Sequence, residues 1–118
     1  MNILYIEDEP DVVTLVSMYV NSAGHSLTVV KDTDEARRKF AFQPDLVLVD
    51  VRLRHRNEGR DFVRELRAQG YEGVVVAVTA MSSPQDVEAN YEAGFTEVLL
   101  KPFTIDQLAD VVARYTPA

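Results

Sequence analysis

Cysteine is absent from this sequence of 118 residues. Without thiols, the chain has no disulfide framework, cysteine nucleophile or thiolate metal site, and its composition is compatible with a reducing compartment. Long apolar runs are also missing, since none approaches the roughly 20 residues that a membrane span requires. The first ten residues, MNILYIEDEP, lack the basic region that precedes the apolar part of a secretion signal. We therefore expect a cytoplasmic protein that does not insert into a membrane.

Basic residues are few relative to acidic ones. Twelve Lys and Arg stand against 19 Asp and Glu, which gives a formal net charge of -7. Binding to nucleic acid depends mainly on cations that neutralise phosphates, so we expect no direct nucleic-acid binding by this chain. Hydrophobic residues make up 47% of the sequence. This content and the chain length predict one globular domain over residues 1–118.

Short apolar runs alternate five times with amphipathic stretches. The runs are rich in Val, Leu and Ile with little polar alternation, which is typical of strands that helices cover on both faces. The pattern predicts an α/β fold in which five strand–helix units form a doubly wound, five-stranded parallel sheet. Tyr5 in the first strand is interpreted as a core residue. The predicted strands span residues 3–6, 27–30, 46–49, 74–78 and 98–100.

Capping signals mark the ends of the predicted helices. Ser83 is a predicted N-cap with Pro84 at the first helical position, and Thr104 forms a predicted capping box with Gln107. Glycine is favoured just beyond the end of a helix. Helices are predicted to start near residues 10, 84 and 104, and two others are predicted to span residues 34–42 and 60–69. Glycine is predicted to end the first, third and fourth helices, at Gly24, Gly70 and Gly94.

Polar residues follow four of the five predicted strands. In a doubly wound sheet, ligands and chemistry collect outside the carboxyl ends of the strands. We therefore expect carboxylates, a hydroxyl and an ammonium group to converge at one edge of the sheet. These residues are Glu7, Asp8 and Glu9 after strand one, Asp50 after strand three, Thr79 and Ala80 after strand four, and Lys101 after strand five.

Three of the carboxylates, those of Glu7, Asp8 and Asp50, would repel one another when brought together. A hard divalent cation resolves this conflict, and Mg²⁺ prefers oxygen ligands and often completes its shell with phosphate oxygen. The cluster therefore predicts a magnesium cofactor and suggests a phosphoryl group. Glu9 is interpreted instead as a charge that stabilises the start of helix one.

A carboxylate can itself be the nucleophile in phosphoryl transfer, giving an acyl phosphate. Such a transfer depends mainly on positioning and on cancelling charge at the equatorial phosphoryl oxygens. Asp50 is the predicted nucleophile, and the ammonium group of Lys101 is predicted to neutralise one oxygen. The Thr79 hydroxyl and the backbone N–H of Ala80 are predicted to donate to the others.

Four short motifs resemble the receiver domain of bacterial two-component response regulators. They are IEDEP after strand one, LVLVDVRL at strand three, VTA at strand four and KPF at strand five, and they agree with that family in order and spacing across essentially the whole chain. The resemblance implies a CheY-like, flavodoxin-like fold with strand order 2-1-3-4-5. It also implies that Asp50 accepts a phosphoryl group from a histidine kinase.

The resemblance also assigns roles to individual residues. A cis peptide bond is implied between Lys101 and Pro102. Because the phosphoryl group would stay on Asp50, the chain would not be an enzyme, beyond a slow self-dephosphorylation. The implied roles are metal binding by Glu7, Asp8, Asp50 and the backbone carbonyl of Arg52, switching by the Thr79 hydroxyl, and phosphate contact by Lys101.

Phosphorylation adds nearly two negative charges and three acceptor oxygens. A response of the Thr79 hydroxyl would repack the face formed by helix four, strand five and helix five. The expected partners are a sensor histidine kinase or a histidine phosphotransfer protein, together with a downstream protein or an effector domain of a longer chain. The expected output is partner binding or dimerisation.

Three regions depart from the family pattern. In helix five, Val111 stands where receivers that dimerise to place winged-helix DNA-binding domains tend to have arginine, which argues against that dimer mode. Val98 stands where an aromatic residue is usual, so the switch is expected to be weaker or to use Tyr91 or Phe95. The segment DVRLRHRNEG lacks the usual proline and places Arg52, Arg54, His55 and Arg56 beside the acidic pocket. We favour a solvated loop whose arginines pair with nearby acids over a docking surface for a kinase or another partner, or an arginine that covers the phosphate.

Three other functions fit parts of the sequence. A pseudo-receiver, which keeps the fold as a phosphorylation-independent interaction module, stays open. A haloacid dehalogenase-like phosphatase is disfavoured because Arg52 stands where its second acid would be. A flavodoxin-like electron carrier is disfavoured because the acidic loop EDEPD would repel the flavin phosphate.

Overall fold

The computed structural model describes residues 1–40 and 43–117. Over these residues, five strands alternate with five helices. Each apolar run of the sequence forms a strand, and each amphipathic stretch forms the helix that follows it. The elements are β1 (Asn2–Ile6), α1 (Pro10–Ser22), β2 (Ser26–Val30), α2 (Thr33–Lys39), β3 (Leu46–Asp50), α3 (Glu58–Ala68), β4 (Val74–Thr79), α4 (Pro84–Ala93), β5 (Glu97–Leu100) and α5 (Ile105–Tyr115).

The sheet is parallel throughout, and its strands lie in the order β2-β1-β3-β4-β5. This order confirms the flavodoxin-like fold that the sequence predicts. The register places Asp50 opposite Val78 and Thr79 opposite Leu100. The carboxyl ends of β1, β3, β4 and β5 therefore meet at one edge of the sheet, as the site predicted there requires.

The predicted strand bounds agree with the structure to within one residue at each end. The differences at the site have a simple cause, because Asp50 and Thr79 still pair with the neighbouring strand and are therefore the last residues of β3 and β4. Both side chains consequently start from rigid strand positions. The strands that begin earlier than predicted are β1, β2 and β5, each by one residue.

Two predicted helices differ from the observed ones. Helix α2 begins at Thr33 because the Asp32 carboxylate caps it, accepting a hydrogen bond from the Glu35 backbone N–H at 2.9 Å. Its predicted end at Phe42 lies outside the described residues. Helix α3 begins two residues before the predicted start, at Glu58, and its first turn closes with a hydrogen bond from Asp61 N to Asn57 O at 2.9 Å.

The other predicted helix ends are confirmed. The Ser83 hydroxyl caps α4 and accepts from the Asp86 N–H, while Thr104 and Gln107 form a reciprocal capping box at α5. Gly94 ends α4 with a backbone φ of 118°, in the left-handed region that glycine tolerates best. In the described part of the chain, no helix is both long and apolar enough to cross a membrane.

Apolar side chains fill both faces of the sheet. Successive residues of a strand point to opposite faces, so each buried strand contributes to two clusters. Helices α2, α3 and α4 cover one face, and helices α1 and α5 cover the other. The first face includes Leu4, Ile6, Val47, Val49, Phe62 and Val63; the second includes Ile3, Tyr5, Val16, Leu48, Leu108 and Val112.

A buried polar contact joins α3 to α4. The Arg60 Nε donates to Asn90 Oδ1 at 2.8 Å, and another Arg60 nitrogen lies 3.4 Å from Asp86 Oδ1. Both Arg60 and Asn90 are buried. Buried polar side chains normally satisfy their hydrogen bonds, yet within the described residues Asn90 Nδ2 has no partner. This contact restrains the position of α4 relative to α3.

Glu58 is a buried carboxylate that joins the β3–α3 loop to the start of α2. Its Oε2 accepts hydrogen bonds from the Thr33 N–H and hydroxyl at 3.0 Å each, and its Oε1 accepts from Arg54 N at 3.0 Å and Arg54 Nε at 2.8 Å. Burial favours the neutral acid, but the hydrogen bonds from Arg54 and Thr33 outweigh it and lower the pKa of Glu58 to about 2. The loop that follows Asp50 is thereby fixed at its far end.

Replacing this carboxylate with an amide, Glu58→Gln, should lower the free energy of unfolding at pH 7 by about 1–3 kcal/mol, since the Arg54 partner is half exposed and screened by solvent. The folded-state pKa lies below the ordinary value of 4.5, so the stabilisation is complete above pH 4.5 and is lost as the pH falls toward 2. Urea unfolding at pH 7, 5 and 3.5 should therefore show the two proteins converging in acid. The control is Glu65→Gln, which removes a half-exposed surface pair with Arg37 and should change stability by less than about 1 kcal/mol. A pH-independent difference would contradict the assignment.

Candidate functional site

The Lys101 ammonium group lies between carboxylates from two different strands. Its Nζ is 2.9 Å from Glu7 Oε2 and 3.5 Å from Asp50 Oδ2. Glu7 directly follows β1, Asp50 ends β3 and Lys101 directly follows β5, so the parallel sheet brings three chain-distant residues together. The convergence predicted from the strand ends is therefore present.

Glu7, Asp8 and Asp50 form a cluster of acidic oxygens. One carboxylate oxygen from each residue lies within 4.8 Å of those of the other two. Glu7 and Asp50 are buried, whereas Asp8 is exposed, so the cluster opens toward solvent on the Asp8 side. Closely spaced hard oxygen donors with an open side suit Mg²⁺, which keeps part of its water shell. The residues present therefore fit the predicted metal.

The charge balance of the site is incomplete without a further cation. Burial, assisted by the neighbouring Glu7 carboxylate, raises the pKa of Asp50 to about 7, although Lys101 and the Arg52 N–H act in the opposite direction. That N–H lies 3.1 Å from Asp50 Oδ1. One ammonium group thus does not fully compensate two buried carboxylates, and a divalent cation would favour their ionised forms.

Lys101 remains a cation in this environment. Burial disfavours its charge, but its hydrogen bond to Glu7 and the charge of Asp50 prevail and raise the pKa of Lys101. The exposed Glu9 carboxylate approaches the same Nζ to 3.8 Å. Glu9 was predicted to stabilise the start of helix one, and it is the N-cap residue of α1. Its proximity to Lys101 was not predicted from the sequence.

A cavity of about 130 Å³ lies beside this ion pair. Thr79 is almost fully buried, and its Oγ1 accepts a hydrogen bond from the Met81 N–H at 3.0 Å. The predicted nucleophile, hydroxyl, backbone donor and ammonium group all border the same space. The cavity is lined by Glu9, Asp50, Arg52, Thr79, Ala80, Met81 and Lys101.

Tyr5 contributes a contact that the sequence interpretation missed. The residue is buried in the core as predicted, but its hydroxyl also donates to Glu7 Oε2 at 3.0 Å. Burial is the larger cause and the charge of Glu7 the second cause that raise the pKa of Tyr5 above its ordinary value. The hydroxyl therefore keeps its proton. Residues two apart on a strand share a face, and this spacing is the signal that could have linked Tyr5 to Glu7.

Two of the three predicted loop arginines after β3 form ion pairs with nearby acids among the described residues. Arg54 lies 2.8 Å from Glu58 and 3.0 Å from Asp34, and Arg56 lies 3.5 Å from Asp86. These pairs agree with the favoured interpretation of a solvated loop. A docking role for this loop stays a prediction.

The expected substitutes for the missing aromatic residue differ in burial. Val98 is half-buried and packs against the apolar cluster under α2, α3 and α4. Phe95 is buried in that cluster, while Tyr91 on α4 is 49% exposed. Tyr91 is therefore the aromatic side chain of the two that can change its exposure without opening the core.

Comparisons with known proteins place this chain in a family. The response regulator receiver domain family matches residues 3–113. The DNA-binding response regulator MtrA of Mycolicibacterium smegmatis is 34% identical over 115 residues, covering 95% of this chain and 49% of the relative. The two-component response regulator PhoP of Pseudomonas aeruginosa is 30% identical, covering 92% and 48%. The chain thus spans about half the length of these curated relatives.

Solved structures agree with this assignment. The BeF3-activated N-terminal receiver domain of Klebsiella pneumoniae RstA has a TM-score of 0.88 and 28% identity, covering 98% of this chain and 97% of that one. The receiver domain of the sensor histidine kinase PA1611 from Pseudomonas aeruginosa PAO1, with magnesium in its active site cleft, has a TM-score of 0.84 and 32% identity, covering 97% and 95%.

The chain therefore belongs to the response regulator receiver domain family of two-component signal transduction. The resemblance predicted from the four motifs is confirmed. Receiver domains are signalling domains that accept phosphate rather than enzymes in the usual sense.

Gly59 allows the first turn of α3 to pack against the end of β3. A Cβ at this position would lie 2.6 Å from Val51 Cα and 2.8 Å from the Asp50 carbonyl oxygen. Both are backbone atoms that no side-chain rotation can move. The Gly59 N–H also donates to Val51 O at 3.0 Å.

The substitution Gly59→Ala should therefore destabilise the protein by about 1–3 kcal/mol and displace the backbone that follows Asp50. Amide chemical shifts of residues 50–54 report that displacement directly, and urea unfolding reports the stability. Gly24→Ala is the control, because its Cβ would meet nothing within 4 Å and its cost arises from a positive φ alone. Unchanged shifts at residues 50–54 in Gly59→Ala would contradict the close approach.

Proposed function

We propose that the chain accepts a phosphoryl group on Asp50 from a phosphohistidine of a sensor histidine kinase or a histidine phosphotransfer protein. The observation that carries this proposal is the convergence of Asp50, Thr79 and Lys101 on one cavity at the carboxyl edge of the sheet. The family assignment supports the same reaction, since receiver domains accept phosphate.

In the proposed step, an Asp50 carboxylate oxygen attacks phosphorus and the bond between phosphorus and the histidine nitrogen breaks. The departing imidazole keeps the electron pair of that bond and takes up a proton from solvent. The Lys101 ammonium group neutralises one phosphoryl oxygen, while the Thr79 hydroxyl and the Ala80 N–H donate to others. The mixed anhydride stays on the chain.

Magnesium is the proposed cofactor. Glu7, Asp8, Asp50 and the backbone carbonyl of Arg52 are the groups that would hold it. When bound, Mg²⁺ would supply positive charge against the phosphoryl oxygens. The acidic cluster supports this proposal through its donor chemistry, and the magnesium in the receiver domain of PA1611 supports it by comparison.

The proposed output is a change at the face formed by α4, β5 and α5. In the structure, Thr79 Oγ1 accepts from Met81 N–H, so a turn of this hydroxyl toward a phosphoryl group would move the segment that leads into the Ser83 cap. Exposed apolar side chains on this face offer a surface for a downstream protein, a second copy or an effector domain of a longer chain. They are Tyr91, Leu100 and Ile105.

A phosphorylation-independent pseudo-receiver is the second candidate. The observation that favours it is the engagement of Lys101 by Glu7 at 2.9 Å, which is closer than its approach to Asp50 at 3.5 Å. In either case we propose a cytoplasmic location, with no direct contact of this domain to nucleic acid or membrane. Phosphoryl uptake distinguishes the two candidates.

Incubation with acetyl phosphate and Mg²⁺ should add one phosphoryl group to the wild-type chain, measured by intact-protein mass spectrometry. Chelation of Mg²⁺ should prevent the gain, and Asp50→Asn should abolish it because an amide oxygen is a poor nucleophile. Asp61→Asn, at an exposed position on α3, is the matched control and should be labelled like the wild type.

Labelling of Asp50→Asn would show that another residue is the acceptor. Wild type that takes no phosphoryl group from acetyl phosphate or from any phosphohistidine donor would support the pseudo-receiver.

A further inference from the structure

Glu7 Oε2 accepts hydrogen bonds from two donors, an aromatic hydroxyl in the core and an ammonium group on a flexible stem. The Tyr5 hydroxyl lies 3.0 Å from this oxygen and Lys101 Nζ lies 2.9 Å from it. The other carboxylate oxygen, Oε1, accepts only the longer hydrogen bond from the Glu9 N–H at 3.3 Å, counting contacts within the described residues. Most of the hydrogen bonding that stabilises the buried Glu7 carboxylate therefore comes from these two donors.

Tyr5 is the fixed donor. It stands on β1, which is paired on both sides by β2 and β3, and its ring is fully buried among side chains of α1 and α5 such as Val16 and Leu108. Tyrosine has few rotatable bonds, and a closely packed core leaves its ring little freedom to turn. The hydroxyl therefore stays directed at Glu7.

Lys101 is the mobile donor. It follows the last residue of the edge strand β5, carries its ammonium group on a flexible four-carbon stem, and is the more exposed partner of the pair, at 14% against 0% for the Glu7 side chain. The same ammonium group is the one that contacts a phosphoryl group on Asp50 in the proposed function. Lys101 Nζ cannot contact Glu7 Oε2 and a phosphoryl oxygen on Asp50 equally well.

A buried carboxylate that loses its charged partner is strongly destabilised unless another donor remains. We propose that Tyr5 is a positioning residue that holds Glu7 in place while Lys101 transfers its contact from Glu7 to the phosphoryl group. This inference rests on the proposed function and extends it to a residue outside the acidic cluster. The Tyr5 hydroxyl donates its hydrogen bond to Glu7 and does not line the cavity, so we infer that it acts through Glu7.

The test is Tyr5→Phe, which removes one oxygen and keeps the ring. Its rate of phosphorylation by acetyl phosphate, measured at saturating Mg²⁺ and corrected for the folded fraction, should fall about tenfold, as expected for losing a hydrogen bond to a charged group. The Mg²⁺ concentration for half-maximal rate should rise, because Glu7 would no longer be held near Asp8 and Asp50.

Tyr71→Phe is the matched control. Its hydroxyl also donates a hydrogen bond, to the Pro44 carbonyl at 3.2 Å, but at the opposite edge of the sheet. This variant should keep the wild-type rate, and it should lose less stability in urea than Tyr5→Phe because its hydrogen bond is to a neutral carbonyl. A purely structural role for Tyr5 would leave both variants at the wild-type rate once the folded fraction is corrected for.

A double-mutant cycle tests the route through Glu7. In a Glu7→Gln background, Tyr5→Phe should have little further effect on the rate, since the carboxylate that Tyr5 positions is gone. An equal slowing in both backgrounds would overturn the inference, as would a wild-type rate in Tyr5→Phe itself. Failure of the wild type to be labelled at all would overturn the proposed function and this inference together.

Discussion

The contact of Lys101 with Glu7 and Asp50 is the interaction on which the site depends. Two carboxylates with almost no solvent exposure would each be strongly disfavoured without a counter-charge. Removing one partner of a buried ion pair typically costs about 3–5 kcal/mol, because the other charge stays behind uncompensated. The same ammonium group is also the cation nearest the proposed acceptor. One side chain therefore provides both the charge that stabilises the buried carboxylates and the cation beside the proposed acceptor.

The parallel sheet makes this contact possible. Glu7 and Lys101 are 94 positions apart in sequence, yet both leave their strands at the same edge because every strand runs in the same direction. Strand β3 lies between β1 and β4, so Asp50 is placed centrally, with Glu7 on one side and Thr79 and Lys101 on the other. Rigid strand positions thus hold the acceptor and the hydroxyl, whereas the ammonium group follows a short edge strand on a flexible stem.

Local signals predicted most of the fold and most of the candidate site. These signals are apolar runs, capping residues and polar residues at strand ends, which lie close together in the sequence. The structure has the strands and helices that they predict. The contacts of Glu58 with Thr33 and of Arg60 with Asn90 were not predictable in this way. They join residues 25 and 30 positions apart whose side chains meet only after the helices have packed. The contact between Tyr5 and Glu7 could have been predicted, because residues two apart on a strand lie on the same face. It was missed because Tyr5 was interpreted only as a core residue.

The two buried polar contacts outside the site differ in how well they are satisfied. Glu58 accepts hydrogen bonds on both oxygens, so it restrains the loop after Asp50 at Arg54. Asn90 satisfies its Oδ1 through Arg60 but leaves Nδ2 without a partner among the described residues. An unpaired buried donor costs about 1–3 kcal/mol, so this contact stabilises the packing of α4 less than a fully paired one would. Hydrogen bonding therefore restrains the loop after Asp50 more completely than it restrains α4, the helix that follows Thr79.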